Sequence, residues 1–538
     1  MSDSLWYSLE IAARDKPDHS AIIFDGRSTT YAELLRHARA AANGLWALDV
    51  RPGDRIAFLA ANRPEYLTLM FAAARIGAAL VPINTRYGST DLEGALHRCG
   101  AAVLFYARGF RKQNFETLLA PVLQRIEPGE DLGLESLPEL RRAICLDDGP
   151  SAKSETFSEL LRRGATLPEV QIDARAQSEA VGIMLFTSGS SGVPKPVMLG
   201  QGQLVRNARR MRDRQKIGGD DRILSFLPYF HVFGGVLTVL VPLLSQATVV
   251  MMEAFESIRS LELVEKYRCT VVYGVATTYC AWFNEPDLAR YDLSSIRTGI
   301  CSAGLPTMSA TARRVRAEFA PMHSLFGMTE TTGIASLTRV DDDETHATGS
   351  AGQTLPDAEI IIVDPETGRP LSAGEQGEVR VRGDMVTRGY FRMPEQTRHA
   401  IDEQGWLHTG DRGYLDEAGY LHVSGRLDDR LRCGGENIDP REVEHFIQTH
   451  PAVEACQIVG VPDRRLLEIP VAFIVPHASA SVDEEEIQAY CRGRIANFKC
   501  PRRVFVVEEF PGWMHKVQRY KLRADAMQRM GLTEDPAI

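Results

Sequence analysis

The stretch AVGIMLFTSGSSGVPKPVML, residues 180–199, places a loop rich in hydroxyl side chains and glycine between two apolar runs. The run before the loop has the length of one buried strand, and the chain becomes apolar again directly after the loop. A Gly/Ser-rich linker would be flanked by polar segments instead. The stretch therefore predicts a loop inserted in a buried region, with a simple structural turn as the alternative interpretation.

The residue types of this loop suit the binding of a phosphate group. Glycines allow the backbone to approach a phosphate and to point several N–H groups at it, while Lys195 supplies a positive charge. Gly189 and Gly192 stand too close together for the pattern G-x-x-x-x-G-K-[ST], and Pro194 precedes the lysine. The loop is accordingly predicted to be a phosphate loop of a different type.

The composition of the chain is that of an ordinary globular enzyme. Its 538 residues are 44% hydrophobic and 25% charged, and a formal net charge of −10 gives no general reason to bind nucleic acid. The longest apolar run, near residues 236–244, contains Pro242 and falls far short of the ~20 residues of a membrane span. The first residues lack the pattern of a secretory signal, so we expect a cytoplasmic protein. The nine cysteines are scattered singly, which is not the spacing of a structural zinc site.

Short apolar runs alternate with helix-like segments through the first four hundred residues. Residues 56–60 and 77–82 have the length of buried strands, and residues 65–76 between them have the pattern of a helix. This alternation predicts an α/β fold with packed, largely parallel sheets and helices. Because the pattern changes after Gly425-Arg426, we predict a large N-terminal domain over residues 1–426 and a small, mobile α+β domain over residues 427–538.

Four further segments carry groups of the kind that enzymes use. They are LPYFHVFG at 227–234, SLFGMTETTG at 324–333, GWLHTGDRGYLDEAGYLHVSGRLDD at 405–429 and HKVQRYKLR at 515–523. Each also has a purely structural explanation. His231 is more often a satisfied core histidine, and the basic run is more often a solvated face. Thr329 is also explained as a helix cap, and the glycines of the third segment as turns of a β-hairpin meander.

Taken in order along the chain, these motifs resemble those of the adenylate-forming superfamily, in its acyl-CoA and aryl-CoA ligase branch. The ordered motifs are TSGSSGVPK, FHVFG, FGMTET, HTGD, GRLDD followed by GGENIDPREVE, and KVQRYKLR, and the resemblance extends over nearly the whole chain. It implies an AMP-forming acid–thiol ligase whose co-substrates are ATP and coenzyme A, with Mg²⁺ as cofactor. Such an enzyme converts a carboxylic acid to an acyl-adenylate and then transfers the acyl group to the thiol.

The resemblance also implies a role for each matching residue. The ATP-binding set would be Thr187, Ser188, Gly189, Ser190, Ser191, Gly192, Lys195, Ser302, Ala303, Gly304, Phe326, Thr329, Asp411 and Arg426. Within it, Phe326 matches the ring stacked on adenine, and Thr329 matches the hydroxyl that bonds the α-phosphate. Asp411 matches the acceptor of the ribose hydroxyls, with Arg426 as a donor nearby. Glu330 matches the carboxylate of the Mg²⁺ site, in keeping with the preference of that cation for oxygen.

The remaining matches concern the small domain and the acyl pocket. Lys516 matches the mobile catalytic lysine, which would act together with Lys195, Thr329 and Glu330. Asp428 matches the hinge. The other implied positions are the coenzyme A tunnel at Gly434 and Gly435 and the acyl pocket at His231, Val275, Gly327 and Gly333.

Three positions depart from the pattern of the superfamily. Pro196 stands where Gly usually follows the loop lysine, which removes one backbone N–H and favours an extended Lys195. His515 stands where Gly usually precedes the catalytic lysine, in a loop that is one residue shorter. Leu467 stands where many relatives have Gly.

The segments expected to line the acyl pocket are small or apolar, and they offer no partner for a buried ammonium group. We therefore expect a hydrophobic acid, fatty or aromatic, rather than an α-amino acid. Two alternatives stay open: an acyl-AMP ligase that loads a separate carrier protein, and a catalytically degenerate relative that only binds its ligands.

Overall fold

The computed structural model describes residues 3–123, 136–149, 154–170, 178–187, 194–302, 309–427, 431–477, 480–510, 512–513, 516–517 and 519–532. In the predicted loop, the structure describes Thr187, Pro194 and Lys195, whereas Ser188, Gly189, Ser190, Ser191 and Gly192 lie outside the described residues. So do Ala303, Gly304 and Asp428.

The strands are, in chain order, β1 Ser20–Phe24, β2 Arg27–Thr30, β3 Arg55–Leu59, β4 Ala79–Pro82, β5 Val103–Tyr106, β6 Gly109–Phe110, β7 Gln113–Asn114, β8 Arg142–Cys145, β9 Glu155–Thr156, β10 Val181–Thr187, β11 Lys195–Gly200, β12 Arg222–Ser225, β13 Thr248–Met251, β14 Val271–Val275, β15 Thr298–Ser302, β16 Met322–His323, β17 Leu325–Phe326, β18 Ser336–Leu337, β19 Gln353–Thr354, β20 Ala358–Val363, β21 Gly377–Gly383, β22 Leu407–Leu415, β23 Leu421–Arg426, β24 Leu431–Cys433, β25 Glu436–Ile438, β26 Val453–Asp463, β27 Leu467–Pro476, β28 Arg503–Val506, β29 Gly512–Trp513 and β30 Lys516–Val517.

The α-helices are α1 Leu5–Asp15, α2 Tyr31–Ala47, α3 Pro64–Ile76, α4 Ser89–Cys99, α5 Phe115–Leu118, α6 Ala120–Leu123, α7 Phe157–Gly164, α8 Gln201–Gln215, α9 Thr238–Leu244, α10 Ser257–Tyr267, α11 Ala276–Phe283, α12 Ser309–Glu318, α13 Glu344–Gly349, α14 Pro394–Ala400, α15 Pro440–Ile447, α16 Glu484–Cys491 and α17 Arg519–Met530. A π-helix spans Phe233–Leu237, and 3₁₀ helices span Leu288–Arg290 and Thr329–Thr331.

The chain forms two compact units. The larger comprises Met1–Thr85, Ala95–Phe186 and Pro196–Gly425, and the smaller comprises Arg86–Gly94, Thr187–Lys195 and Arg426–Ile538. The larger unit is rich in parallel strands with helices and the smaller is mixed α+β, which confirms the predicted fold class. The exact boundary at residue 426 and the mobility of the small domain stay predictions.

Two seven-stranded sheets organise the larger unit, as far as its described residues show. One has the strand order β16-β15-β14-β12-β13-β1-β2, and the other has the order β11-β10-β4-β3-β5-β8-β9. The pairs from β16 to β1 in the first sheet are parallel, and only β2 joins antiparallel. Every strand of β4, β3, β5 and β8 is fully or largely buried, as expected when helices cover both faces of a parallel sheet.

Helix α2 shows how local sequence fixes one of these helices. It begins with a capping box, in which the Thr30 side chain accepts from the Glu33 N–H and the Glu33 carboxylate accepts from the Thr30 N–H. Its first residue, Tyr31, is fully buried and donates its hydroxyl to the Ala247 carbonyl at 2.6 Å. The residues buried along its apolar stripe are Leu34, Ala38, Ala41 and Leu45.

One buried amide ties three helices together. Gln201, the first residue of α8, donates from Nε2 to the Ala74 carbonyl of α3 at 3.0 Å. Its Oε1 accepts from the Leu5 N–H of α1 at 3.3 Å. Because a buried amide without partners is unfavourable, this pair of bonds fixes where α8 starts.

The smaller unit is built on the long antiparallel hairpin of β26 and β27, with β24 and the parallel β28 beside β27. Helix α17 is joined to helix α15 by a largely buried ion pair between Arg519 and Glu444, and both residues also bond to Ile458 of β26. Arg519 Nη2 lies 2.8 and 2.9 Å from the two carboxylate oxygens of Glu444, and the Ile458 N–H donates to the same carboxylate at 2.7 Å. Glu444 is therefore held from two elements at once.

We expect Glu444→Ala to destabilise the smaller unit, because it would leave Nη2 of Arg519 and the Ile458 N–H without their acceptor. The Glu444 side chain is only 9% exposed, and breaking a buried pair of this kind costs about 3 kcal/mol. The matched control is Asp525→Ala, which breaks a pair to Arg529 whose partners are about two-fifths exposed and should cost less than about 1 kcal/mol. Urea unfolding of the two variants would contradict this prediction if both midpoints shifted equally.

Candidate active site

Seven of the predicted site residues lie at one edge of the first sheet. Parallel strands β12, β14, β15 and β16 end there, and ligands of open α/β sheets bind outside the carboxyl ends of the strands. The predicted residues that end these strands, or follow them within a few positions, are His231, Val275, Ser302, Phe326, Gly327, Thr329 and Glu330. The sheet topology therefore brings together positions that are up to a hundred residues apart in sequence.

Phe326 to Gly333 form one tight turn that closes on itself. Phe326 in β17 is buried and pairs with Ser336 of β18, and Thr329 begins the 3₁₀ helix. A Cβ atom at Gly327 would lie 2.2 Å from the Gly333 carbonyl oxygen, and Gly333 has a φ of +94°. Glycine avoids the steric clash at position 327 and adopts the positive φ at position 333 without strain. These two predicted residues therefore lie where the turn closes.

A buried asparagine of α8 holds this turn in place. Nδ2 of Asn207 donates to the carbonyls of Thr331, Thr332 and Ile334 at 3.3, 3.1 and 3.0 Å. Thr332 has a left-handed φ of +54°, and its hydroxyl donates to the Met385 carbonyl at 2.6 Å. A non-glycine residue is strained in this conformation, and Thr332 keeps it because the surrounding hydrogen bonds hold the residue in place.

Glu330 lies inside the turn with its carboxylate buried. Its side chain accepts a hydrogen bond from the Tyr390 hydroxyl at 3.0 Å on Oε1, and its backbone carbonyl accepts from the Thr387 N–H at 2.7 Å. Glu330 is 5% exposed and Tyr390 is 7% exposed. One short segment, residues 387–390, therefore fixes both the main chain and the side chain of this glutamate.

The same segment pairs with β11, the strand that leaves the predicted phosphate loop. Tyr390 bridges Val197, the Met198 N–H donates to the Gly389 carbonyl at 3.0 Å, and the Phe391 N–H donates to the Pro196 carbonyl at 2.8 Å. The N–H and C=O of a strand residue point to the same side of the strand. The Pro196 carbonyl faces Phe391, so the backbone N–H that a proline lacks would have faced Phe391 too. The proline therefore removes a bond of this ladder.

Asp411 lies in β22 of a four-stranded sheet that contains β20 to β23. It is 4% exposed, and its N–H donates to the Thr409 hydroxyl at 3.0 Å. That hydroxyl in turn donates to the Val379 carbonyl at 2.5 Å. The Asp411 carboxylate is therefore carried by a strand of a rigid antiparallel sheet. Arg426 is the last residue of the neighbouring strand β23.

His231 precedes the π-helix, an uncommon element that is frequent at functional sites. Its side chain is half-buried, and its ring lies 4.7 Å from the Phe230 ring. The π-helix begins with Phe233, whose ring stacks on Tyr273 at a centroid distance of 6.1 Å. The half-buried Val275 ends the strand that contains Tyr273. The surroundings of these predicted pocket residues are therefore aromatic and apolar.

The edge of the sheet also carries a buried histidine at the end of β16. His323 is 1% exposed, and its Nδ1 is 2.8 Å from the Thr338 carbonyl, to which it donates. Burial lowers the pKa of His323 to about 4, so the imidazole is neutral at physiological pH. It adds no positive charge next to Phe326.

In the smaller unit, the backbone conformation explains the residues at three positions. Gly434 and Gly435, with φ of +58° and +84°, form the two-residue turn between β24 and β25, as a type I′ hairpin requires. Leu467 has a φ of +72°, a left-handed conformation that favours the glycine expected there from the resemblance. The predicted catalytic lysine, Lys516, lies in β30, where it pairs with Trp513 of β29.

Sequence analysis missed Asn207, Thr387 and Tyr390. Asn207 could have been found, because it interrupts the apolar stripe of α8 formed by Leu204, Ala208 and Met211. A polar residue in such a stripe indicates a buried hydrogen-bonding role. Tyr390 has no comparable signal, since it bonds to Glu330 across 60 residues of sequence.

Comparisons with known proteins show which family the chain belongs to. The family model described as AMP-binding enzyme matches residues 9–391, and the model described as AMP-binding enzyme C-terminal domain matches residues 442–512. The chain therefore belongs to the AMP-binding enzyme family, and within it the protein is an AMP-forming acid–thiol ligase, as the motifs predicted. Among the helices of the described residues, none is long and apolar enough to cross a bilayer.

Three relatives illustrate the similarity. Feruloyl-CoA synthase of Amycolatopsis sp. is 36% identical, covering 93% of this chain and 94% of that protein. The mitochondrial medium-chain acyl-CoA ligase of Danio rerio is 32% identical, covering 97% and 88%. A double mutant of o-succinylbenzoate CoA synthetase from Bacillus subtilis, solved with a product analogue, superimposes with a TM-score of 0.80 at 26% identity, covering 97% and 98%.

We expect Asn207→Ala to slow acyl-adenylate formation about tenfold or more, because three buried carbonyls of the turn would lose their donor. The matched control is Asn43→Ala. Asn43 is also a buried amide that donates to backbone carbonyls, of Gly164 and Leu167, away from this turn. Both variants should lose about 1–3 kcal/mol of stability, but only Asn207→Ala should lose rate. Equal rates in the two variants, measured by pyrophosphate exchange, would contradict the role of Asn207.

Proposed function

We propose that this ligase activates a hydrophobic carboxylic acid, fatty or aromatic, and transfers the acyl group to coenzyme A. The observation that carries the proposal is that two segments at the predicted pocket, residues 230–237 and 273–280, contain no acidic side chain. The acidic side chain of the third segment, Glu330, is bonded to Tyr390 and is proposed below for the metal. An α-amino group buried there would have no carboxylate to pair with. The half-buried Phe233, which stacks on the fully buried Tyr273, instead supplies an apolar surface. The relatives named above include ligases of an aromatic and of a medium-chain acid.

The proposed reaction has two steps. A carboxylate oxygen of the acid attacks the α-phosphorus of ATP, and the bond to the β-phosphate breaks to release pyrophosphate. The thiolate of coenzyme A then attacks the acyl carbonyl carbon, and AMP leaves with the oxygen that had joined it to the acyl group. Catalysis of the first step depends on positioning and on stabilising the charge that develops on the phosphate.

The residues proposed for the first step are those that the resemblance assigns. Phe326 would stack on adenine and Asp411 would accept from the ribose hydroxyls. Thr187, Lys195 and Thr329 would bind the phosphates. Asp428 as hinge, and Gly434 with Gly435 as the coenzyme A path, belong to the second step.

The donor set also fits Mg²⁺ as a partner of ATP. Mg²⁺ is usually held by one or two carboxylates plus the phosphates of a substrate, not by an all-protein cage. Glu330 supplies a buried carboxylate, whereas the described residues contain no group of three or more metal-ligating side chains. When bound, the ion would neutralise charge on the phosphates. Glu330 is therefore the proposed ligand.

We expect the enzyme to exchange labelled pyrophosphate into ATP in the presence of medium-chain or aryl acids, and not with α-amino acids of equal side-chain size. The panel should be run with coenzyme A and with carrier proteins as alternative acceptors. Acyl-CoA formation supports the proposal, whereas acyl transfer only to a carrier would overturn the assignment of the acceptor. Absence of exchange across all the acids would overturn the proposed function.

Lys516→Ala should reduce acyl-adenylate formation by about 10²- to 10³-fold, the usual effect of removing one preorganised donor to developing charge. Thioester formation from a supplied acyl-adenylate should survive. Lys521→Ala is the matched control, since it removes an exposed lysine of the same basic run. A rate loss in Lys521→Ala with a normal Lys516→Ala would show that the catalytic lysine was assigned to the wrong position.

A further inference from the structure

Tyr390 and Glu330 form a buried pair that the reaction as proposed does not yet use. The tyrosine hydroxyl donates to Oε1 of the carboxylate at 3.0 Å, and both residues are less than a tenth exposed. A hydrogen bond to an ionised carboxylate is stronger than one between neutral groups. In a buried setting this hydrogen bond also fixes the terminal torsion angle of the glutamate side chain, whose distribution is otherwise broad.

The group that donates to the Glu330 carboxylate is a neutral hydroxyl and not a cation. An arginine or lysine in the place of Tyr390 would cancel the charge of the carboxylate, whereas a neutral hydroxyl orients the carboxylate and leaves its negative charge intact. A carboxylate has about four lone-pair positions, and this hydroxyl uses one of them. The arrangement therefore suits a carboxylate that must be both fixed in direction and still negative enough to bind a cation.

The backbone that carries the Tyr390 hydroxyl is held from several sides. The Tyr390 N–H donates to the Thr397 hydroxyl at 3.0 Å, and Tyr390 bridges Val197 of β11. The next residue, Phe391, has its ring between two guanidinium groups, 4.9 Å from Arg55 and 4.8 Å from Arg392. These contacts fix the backbone that carries Tyr390 independently of any ligand.

Both guanidinium groups bind one carboxylate. Arg392 donates from Nη2 to Glu139 at 2.9 Å, and Arg55 is hydrogen-bonded to the same side chain. Glu139 lies shortly before β8 and far from Tyr390 in sequence, so a residue outside the 387–390 segment helps to fix the backbone that carries the tyrosine. Preorganised supporting bonds of this kind orient metal ligands in proteins.

We propose that Tyr390 is a positioning residue that aims the Glu330 carboxylate at the Mg²⁺ that accompanies ATP. This inference rests on the proposed function, in which Glu330 is the metal ligand. Tyr390 acts through Glu330 and is not expected to contact substrate.

The test is Tyr390→Phe, which removes one oxygen and keeps the ring. The Mg²⁺ concentration for half-maximal adenylation should rise about tenfold, the lower end of the effect of losing a supporting bond to a metal ligand. The rate at saturating Mg²⁺ should fall much less. Mn²⁺ binding to the enzyme–ATP complex, followed by the free Mn²⁺ signal in electron paramagnetic resonance, should weaken by the same factor. ATP binding in EDTA should be unchanged.

Two comparisons make the result specific. Tyr31→Phe removes a buried hydroxyl that donates to the Ala247 carbonyl at 2.6 Å, and it should leave Mn²⁺ binding unchanged. In a Glu330→Gln background, Tyr390→Phe should weaken Mn²⁺ binding by less than about twofold further, because residues that act through one another are not additive. Thermal unfolding of each variant identifies any general loss of fold.

The outcomes separate the two proposals. Wild-type Mn²⁺ affinity in Tyr390→Phe, with weakened affinity in Glu330→Gln, would overturn the role of Tyr390 and leave the proposed function standing. Equal weakening in Tyr31→Phe, or wild-type affinity in Glu330→Gln, would also overturn it. Failure of the wild-type enzyme to exchange pyrophosphate with any acid would instead overturn the proposed function itself.

Discussion

One buried amide group, Nδ2 of Asn207, satisfies three carbonyl oxygens of the turn that contains Thr329 and Glu330. Each of these carbonyls would be unfavourable in a dry interior without a donor, by about 1–3 kcal/mol. The left-handed Thr332 adds strain to the same turn. The conformation of the turn therefore depends on Asn207, and the carboxylate of Glu330 depends on the turn.

Asn207 also lies close along the chain to the strand that follows the predicted phosphate loop. Strand β11 begins at Lys195, and α8 follows it directly from Gln201. Gln201 fixes the start of that helix, and Asn207 lies less than two turns further on. One short helical segment therefore joins strand β11 to the residue that holds the turn.

The fold could be predicted because it depends on local patterns. The helix expected at residues 65–76 is α3 at Pro64–Ile76, and the strand expected at 56–60 is β3 at Arg55–Leu59. Phe326 and Glu330 were predicted from their motif, and the structure places them in one turn. Tyr390 and Glu139 were missed, because their importance comes from partners far along the chain. The roles of Lys516 and Asp428 remain predictions from the motifs.

Pro194 and Pro196 fix the backbone on both sides of Lys195, the residue where β11 begins. A proline restricts the chain before it folds, so less backbone entropy is lost when the residues beside it become ordered. Against this, Pro196 lacks one hydrogen bond of the ladder to Phe391, worth about 0.5–1.5 kcal/mol. The two effects are similar in size and opposite in sign for the stability of the fold. The prolines therefore leave a weaker ladder and a backbone at Lys195, the predicted phosphate-binding residue, that is restricted before any nucleotide binds.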